Sequence, residues 1–110
     1  MHNYKLPSFK YTHNIGLISV YTDENNETYY KQSDSIIYFK HNPTYFHRIH
    51  GPAIIHPLNL FWYRNNHLHR LDGPAVEHSN GDKEYFINNI RYGHEETKEY
   101  LHMVKLIGFL

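Results

Sequence analysis

HRIHGPAII, from His47 to Ile55, and HRLDGPAVE, from His69 to Glu77, are one phrase written twice. The offset is 22 residues, and five of the first seven positions are identical. Each copy leads through a turn into an aromatic segment: Phe61-Trp62-Tyr63-Arg64-Asn65-Asn66 after the first, Glu84-Tyr85-Phe86-Ile87-Asn88-Asn89 after the second. Aligning the Asn-Asn pairs takes an offset of 23, so one residue is gained in a turn, where the chain tolerates it best. Upstream, Tyr38-Phe39-Lys40-His41-Asn42 is a partial third copy. Gly16–Tyr21 followed by Thr28–Lys31 is a worn fourth.

In HRLDGPAV, Gly73 is expected to take a positive φ, and Pro74 to open a strand or lie on an edge. Ala75–His78 reads as a strand and Ser79-Asn80-Gly81-Asp82 as a hairpin turn, with Asn-Gly suited to type I′ geometry. Lys83–Ile87 returns as a second strand, and Asn88-Asn89 turns again. Connections this short exclude helical crossovers, so the sheet is predicted to be an antiparallel meander of hairpin repeats. The first unit carries Pro57-Leu58-Asn59-Leu60 at the corresponding turn, where two leucines suggest a packing need or an exposed apolar contact.

The ends differ. Residues 1–14 lack periodicity and read as an extended or loosely attached N-terminal segment. Residues 95–108 read as a helix with an apolar stripe of Tyr100, Met103, Val104 and Ile107, joined by Leu101. Such a helix is expected to cap the open end of a repeat sheet; a homodimer through the stripe and Phe109-Leu110 is the alternative. The expected fold class is therefore mainly β, with a C-terminal α-helix (α+β). One domain spans residues 1–110, with the repeats over 15–93.

Composition agrees with a thin, aromatic sheet. The chain of 110 residues has 11 Tyr, 6 Phe and one Trp, and each such ring buries roughly 150–250 Å². Lys plus Arg and Asp plus Glu are both 11, which argues against general nucleic-acid binding by phosphate neutralisation. The 11 histidines would add positive charge as pH falls towards 6. There is no Cys, no signal-peptide pattern and no apolar run of membrane-spanning length. The expectation is a protein without membrane association, in a reducing, cytoplasmic compartment.

The pattern HR-x-x-GPA, a turn, then an aromatic pair and Asn-Asn resembles the short "HRxDGPA" repeats, loosely MORN-like, of phage and giant-virus proteins. The resemblance spans about Tyr38 to Tyr92. It rests on His47, Arg48, Gly51-Pro52-Ala53, Trp62-Tyr63 and Asn66, and on His69, Arg70, Gly73-Pro74-Ala75, Tyr85-Phe86 and Asn89. It departs at His50, where the pattern has Asp as in Asp72, and at Asn66 and Asn89, where Gly is usual. The resemblance implies hairpin repeats, no enzymatic activity, and a phage accessory protein acting in the host cytoplasm, such as one that blocks host defence.

Candidate binding residues follow from the repeat. His47, Arg48, His69 and Arg70 would align along one rim with Arg91 nearby, and Trp62 and Tyr85 could stack on a base. That rim would suit a host protein or a nucleotide second messenger. The alternative is that His and Arg recur because the fold needs them, with Arg70 pairing Asp72. Trp62, Tyr63, Tyr85 and Phe86 are explained in the same way by cross-strand packing. His67 and His69 share one side of a strand, but neither copy repeats that spacing with a carboxylate, so no metal and no cofactor is expected. No catalytic motif is present, and Glu77 and His78 are strand neighbours facing opposite ways. The leading expectation is a non-enzymatic inhibitor of a host protein, then a nucleotide sponge, then a phosphodiester-cleaving enzyme.

Overall fold

Asn65, Asn66, Asn88 and Asn89 all have positive φ, at 50°, 65°, 48° and 68°. Two consecutive residues in this region make a type I′ turn, whose twist matches that of the flanking strands. Asn is the residue other than Gly that tolerates this region best. The two Asn-Asn pairs therefore fix two tight hairpins, and the rest of the array is built around them.

The computed structural model describes Pro7, residues 9–93 and residues 97–108. Thirteen strands precede one helix among these residues. The first five are β1 (Lys10–Ile15), β2 (Ile18–Thr22), β3 (Thr28–Gln32), β4 (Ser35–Lys40) and β5 (Asn42–Phe46). One repeat supplies β6 (Ile54–His56), β7 (Asn59–Phe61), β8 (Tyr63–Arg64) and β9 (His67–Leu68). The next supplies β10 (Val76–His78), β11 (Lys83–Glu84), β12 (Phe86–Ile87) and β13 (Ile90–Arg91), and the helix α1 is Lys98–Gly108. The main sheet runs β1-β2-β3-β4-β6-β7-β10-β11, every neighbouring pair antiparallel, with β5 added alongside β4. The meander and the C-terminal helix are as expected from the sequence.

Each repeat contributes two hairpins rather than one. The first, β6–β7 or β10–β11, lies in the main sheet. The second, β8–β9 or β12–β13, folds off it with an Asn-Asn turn at its tip. The β4–β5 hairpin is the partial third copy: Lys40 pairs with Asn42 across His41, whose φ is also positive. The tips are bonded into a stack. Asn66 N–H donates to Phe46 O at 2.7 Å while its Oδ1 accepts Phe46 N–H at 3.0 Å. Asn89 makes the same pair with Leu68, at 2.9 and 2.7 Å.

β4 is buried on both faces. Ile36 and Tyr38 face one cluster with Tyr29, Ala53, Ile55 and Leu60, while Ile37 and Phe39 face another with Val20 and Tyr30. The strand period of two splits the run Ile36-Ile37-Tyr38-Phe39 between them. A third cluster joins the last hairpin to the helix: Tyr85, Ile87 and Tyr100, flanked by Leu71, Tyr92, Met103, Val104 and Ile107. The apolar stripe thus packs on its own chain, Tyr100 fully and Met103, Val104 and Ile107 in part. Leu101, counted with it from the sequence, is half exposed, as is Leu106. No helix among the described residues is long and apolar enough to cross a membrane.

Several local expectations are corrected. Gly73 does not have positive φ; a Cβ there would lie 2.8 Å from Arg70 Cζ, so the glycine makes room for a folded-back guanidinium. At Ser79–Asp82 only Gly81 has positive φ, and Gly81 N–H donates to His78 O at 3.0 Å. The loop is a turn followed by a left-handed glycine, wider than the two-residue type I′ form. The helix begins at Lys98, because Thr97 Oγ1 accepts Tyr100 N–H at 3.2 Å and acts as its N-cap. The earlier part of the expected helix, Glu95-Glu96, and the Phe109-Leu110 tail lie outside the described residues. Of the N-terminal segment, Lys10–Asn14 is extended, the first of the two forms expected, and is paired as an edge strand. At the first repeat's turn the two leucines divide: Leu60 is core and Leu58 is half exposed.

Tyr100 ties the helix to the last GPA loop. Its hydroxyl lies 2.8 Å from Arg70 O and 2.9 Å from Gly73 O, and accepts Gly73 N–H at 3.3 Å. Removing it in Tyr100→Phe leaves buried backbone groups unsatisfied, so stability should fall by about 1–3 kcal/mol. Leu101→Ala on the outer face should change it by less than ~0.5 kcal/mol. Urea unfolding of the two variants checks the contrast, and equal effects would contradict the capping role.

Candidate functional site

The His-Arg rim is built twice by the same bonds. In the first copy Asn65 N–H donates to His47 Nδ1 at 2.9 Å, and in the second Asn88 N–H donates to His69 Nδ1 at 3.1 Å. Each ring thereby receives a backbone donor from the next type I′ turn, which requires Nδ1 to carry no proton. Burial, then Lys40 and Arg64, hold the His47 imidazole below its ordinary pKa, with Glu27 opposing. Burial, then Arg64 and His67, do the same for His69.

The arginines fold back under their own loops. Arg48 lies over the Tyr38 ring at 4.0 Å and donates to Pro52 O at 3.2 Å. Arg70 lies over the Trp62 ring at 3.7 Å and donates to Pro74 O at 3.0 Å. A guanidinium on an aromatic face is worth about 0.5–2 kcal/mol, most when desolvated. Arg48, only 6% exposed, is the desolvated one.

The carboxylate partners differ between copies, and this accounts for His50. Arg70 pairs with Asp72 of its own loop at 2.9 Å and with Glu77 at 3.2 Å. The first copy has His50 where the second has Asp72, and its acids arrive from the loop after β2. Asp23 lies 3.5 Å and Glu27 3.8 Å from Arg48. Glu27 also accepts the Ile49 and His50 backbone N–H groups at 2.6 and 3.1 Å, and meets His50 Nδ1 at 2.8 Å. Burial would raise the Asp23 carboxyl. Hydrogen bonds from Tyr38 and from the Glu27 and Asn25 amides, with the charge of Arg48, outweigh that and hold it below its usual value.

Of the sequence-predicted site residues, Arg48, Trp62, His69 and Arg70 come together around one cleft of about 220 Å³. His47 lines a second cleft of about 330 Å³, one unit upstream, with Phe39, Lys40 and His41. Ile49 borders both. Tyr85 lies elsewhere, buried against Tyr100 with ring centroids 5.0 Å apart. Arg91 is drawn to Glu84 at 3.6 Å. His78 is engaged by Glu84 at 2.8 Å and Asn59 at 2.7 Å. Among the described residues no group of three or more His, Cys, Asp or Glu is arranged to hold a metal ion.

Arg64 was passed over in the sequence. It extends the downstream cleft, its charge acts on both His47 and His69, and its Nε is a buried donor without a hydrogen bond among the described residues. Trp62 Nε1, two residues earlier, is in the same condition. The available signal was the alignment of Lys40 with Arg64, a cation at the same place in two copies. Compared with known proteins, the chain matches no family model, no curated protein and no solved structure.

Two outcomes follow from this network. Arg48→Ala removes the cation beside Asp23, whose side chain is fully enclosed, together with the Tyr38 ring contact and the Pro52 bond, so it should cost about 3–5 kcal/mol. Arg70→Ala, whose partner Asp72 is 81% exposed, should cost less, and thermal unfolding of both variants makes the comparison. The histidines fix a pH dependence. Their pKa values are lower folded than unfolded, so the unfolded chain protonates first. Their contribution is intact above the ordinary histidine pKa near ~6.5 and is lost as pH falls from there through the folded values. In His47→Asn with His69→Asn, an amide oxygen can accept the same N–H without titrating, and the stability-pH slope below pH ~6.5 should flatten. An unchanged slope would refute this role.

Proposed function

We propose that this chain is a non-enzymatic interaction protein of viral, phage-type origin that binds a host protein in the host cytoplasm and inhibits it. Origin and compartment rest on the resemblance of the repeat. The observation that carries the binding mode is that the repeated His and Arg side chains turn inward. The Nδ1 of each ring and both guanidiniums bond the chain's own turns, carbonyls and carboxylates. These residues stiffen the array and leave it a preformed surface of stacked hairpin tips, which lowers the ordering cost of docking a partner.

A nucleotide sponge at the same rim is less well supported. A phosphate would need the arginine fork, and both forks already hold a proline carbonyl and acids. A base would need an open aromatic face, and Arg70 covers one face of Trp62. A phosphodiester-cleaving enzyme would need a histidine free to exchange protons with substrate, whereas His47 and His69 each receive a backbone N–H.

The test is to immobilise the chain, pass bacterial host lysate over it, and reconstitute the complex from purified components. The expected result is one host protein in stoichiometric complex by size exclusion, with its activity reduced on binding. Nucleotide released unchanged on denaturing the purified chain would favour the sponge. Nucleotide released altered would favour the enzyme.

A further inference from the structure

Five histidines of this chain are wired in two opposite ways. Three accept a backbone N–H on Nδ1: His47 from Asn65 at 2.9 Å, His69 from Asn88 at 3.1 Å and His56 from Leu58 at 3.1 Å. An accepting nitrogen carries no proton, so a protonated ring cannot make this bond. The other two face oxygen. His50 Nδ1 lies 2.8 Å from Glu27 Oε1, and His78 lies between Asn59 Oδ1 at 2.7 Å and Glu84 Oε2 at 2.8 Å. An imidazolium donates from both nitrogens, so protonation is compatible with each of these contacts.

The two wirings occupy different layers. His47 and His69 hold the Asn65-Asn66 and Asn88-Asn89 turns, at the tips of the hairpins β8–β9 and β12–β13 that fold off the main sheet. Each of those strands has two residues, and a hairpin so short has little stability of its own. The next residue of each turn makes the stacking pair, Asn66 with Phe46 and Asn89 with Leu68. His50 and His78 hold parts joined to the main sheet. His50 ties its Gly-Pro-Ala loop to the loop between β2 and β3, and His78 crosses from β10 to β7 and β11. His56 spans the β6–β7 turn, in a hairpin paired on its two sides by β4 and β10.

Burial comes first in keeping both latch rings neutral. His47 also faces Lys40 from β4, Arg64 from β8 and His41 from the β4–β5 turn, with Glu27 opposing. His69 faces Arg64 and His67, and shares its cleft with Arg48, Arg70 and Asp72, which are already paired. His78 shares its own cleft with Glu77, Asp82 and Lys83. The two latch bonds are therefore complete above the ordinary histidine pKa near ~6.5 and weaken as pH falls from there through the folded values.

We propose that the stack of hairpin tips is an acid-released latch: protonation of His47 and His69 frees the Asn65-Asn66 and Asn88-Asn89 turns while the main sheet stays paired. The two tips respond to different extents. β12–β13 keeps Ile87 in the cluster under α1, so its turn frays from a fixed base. β8–β9 has no buried residue and opens further. The latch follows from the wiring whatever the chain binds, and goes beyond the protein-binding reading.

Amide hydrogen exchange of the whole ¹⁵N-labelled chain, followed by NMR between pH ~7.5 and ~4.5, is the test. Corrected for the intrinsic pH dependence of exchange, protection at Asn65 and Asn88 should fall by up to about tenfold per pH unit below ~6.5, and further at Asn65. Protection at Tyr38 and Ala53, whose N–H groups bond Ala53 O and Phe61 O, should hold over the same range. His69→Asn, with an amide oxygen that accepts without titrating, should keep Asn88 protected and leave Asn65 released as before; His47→Asn should do the reverse. In His50→Gln with His78→Gln the tips should open at the same pH as in the wild type. On the unsubstituted chain, imidazole ¹⁵N shifts should show Nδ1 of His47 and His69 unprotonated at neutral pH and taking up a proton as the tips open. Loss of protection at all four amides together, or tips that stay closed until the sheet unfolds, overturns the latch. So does a release that neither latch substitution moves, or proton uptake at a pH apart from the opening.

Discussion

The array depends on a guanidinium laid on an aromatic ring and held there by the loop it belongs to. Arg48 over Tyr38 and Arg70 over Trp62 each join three parts of the chain: the preceding aromatic strand, their own Gly-Pro-Ala loop, and a carboxylate. Backbone bonds lock the same joint. Tyr38 and Trp62 donate their N–H groups to Ala53 O and Ala75 O, and accept from His47 and His69 N–H. A sheet this thin has limited apolar volume, and the charged joints add stiffness where a hydrophobic core would otherwise supply it. The requirement for glycine follows directly, because at Gly73 the guanidinium occupies the space of a side chain.

Once that joint is recognised, the irregular parts of the chain make sense. The loop after β2 appears unrelated to the repeat, yet Asp23 and Glu27 do for Arg48 what Asp72 does for Arg70. At the other end the third aromatic is Tyr85, and it meets the helix. Its N–H donates to Gly93 O, in the place of the alanine carbonyl, and Tyr100 from the helix packs on its ring. The two ends thus complete the joint by different means, one electrostatic and one aromatic.

Much of this fold was legible in the sequence, for a physical reason. Pro74, Asn-Gly and Asn-Asn are local turn signals that act without tertiary contacts, so the meander could be read from them, though the form of the Ser79–Asp82 turn could not. Where the reading failed, the deciding partner lay far along the chain. Gly73 was assigned to positive φ because the arginine that needs its space cannot be seen in a string. His50 looked like a departure because the substituting acid, Glu27, lies 23 residues away. Two hairpins per repeat, where one was expected, reflect a change of direction at Trp62 between β7 and β8 that strand propensity does not encode. The histidines and arginines were read as a candidate site, and the rival scaffold reading accounts for every contact described for His47, Arg48, His69 and Arg70. Arg64 escaped notice because a single cation in a turn carries no motif.

The Tyr85–Tyr100 pairing also sets the direction in which such a protein can lengthen. A unit duplicated between β9 and β10 would meet the same chemistry on both sides, an aromatic behind and a Gly-Pro-Ala loop ahead, and could be accepted without altering either neighbour. Material added after Gly93 would instead have to displace a helix already bonded to the last loop. The helix occupies that edge, so a further unit fits more readily within the array than directly after Gly93.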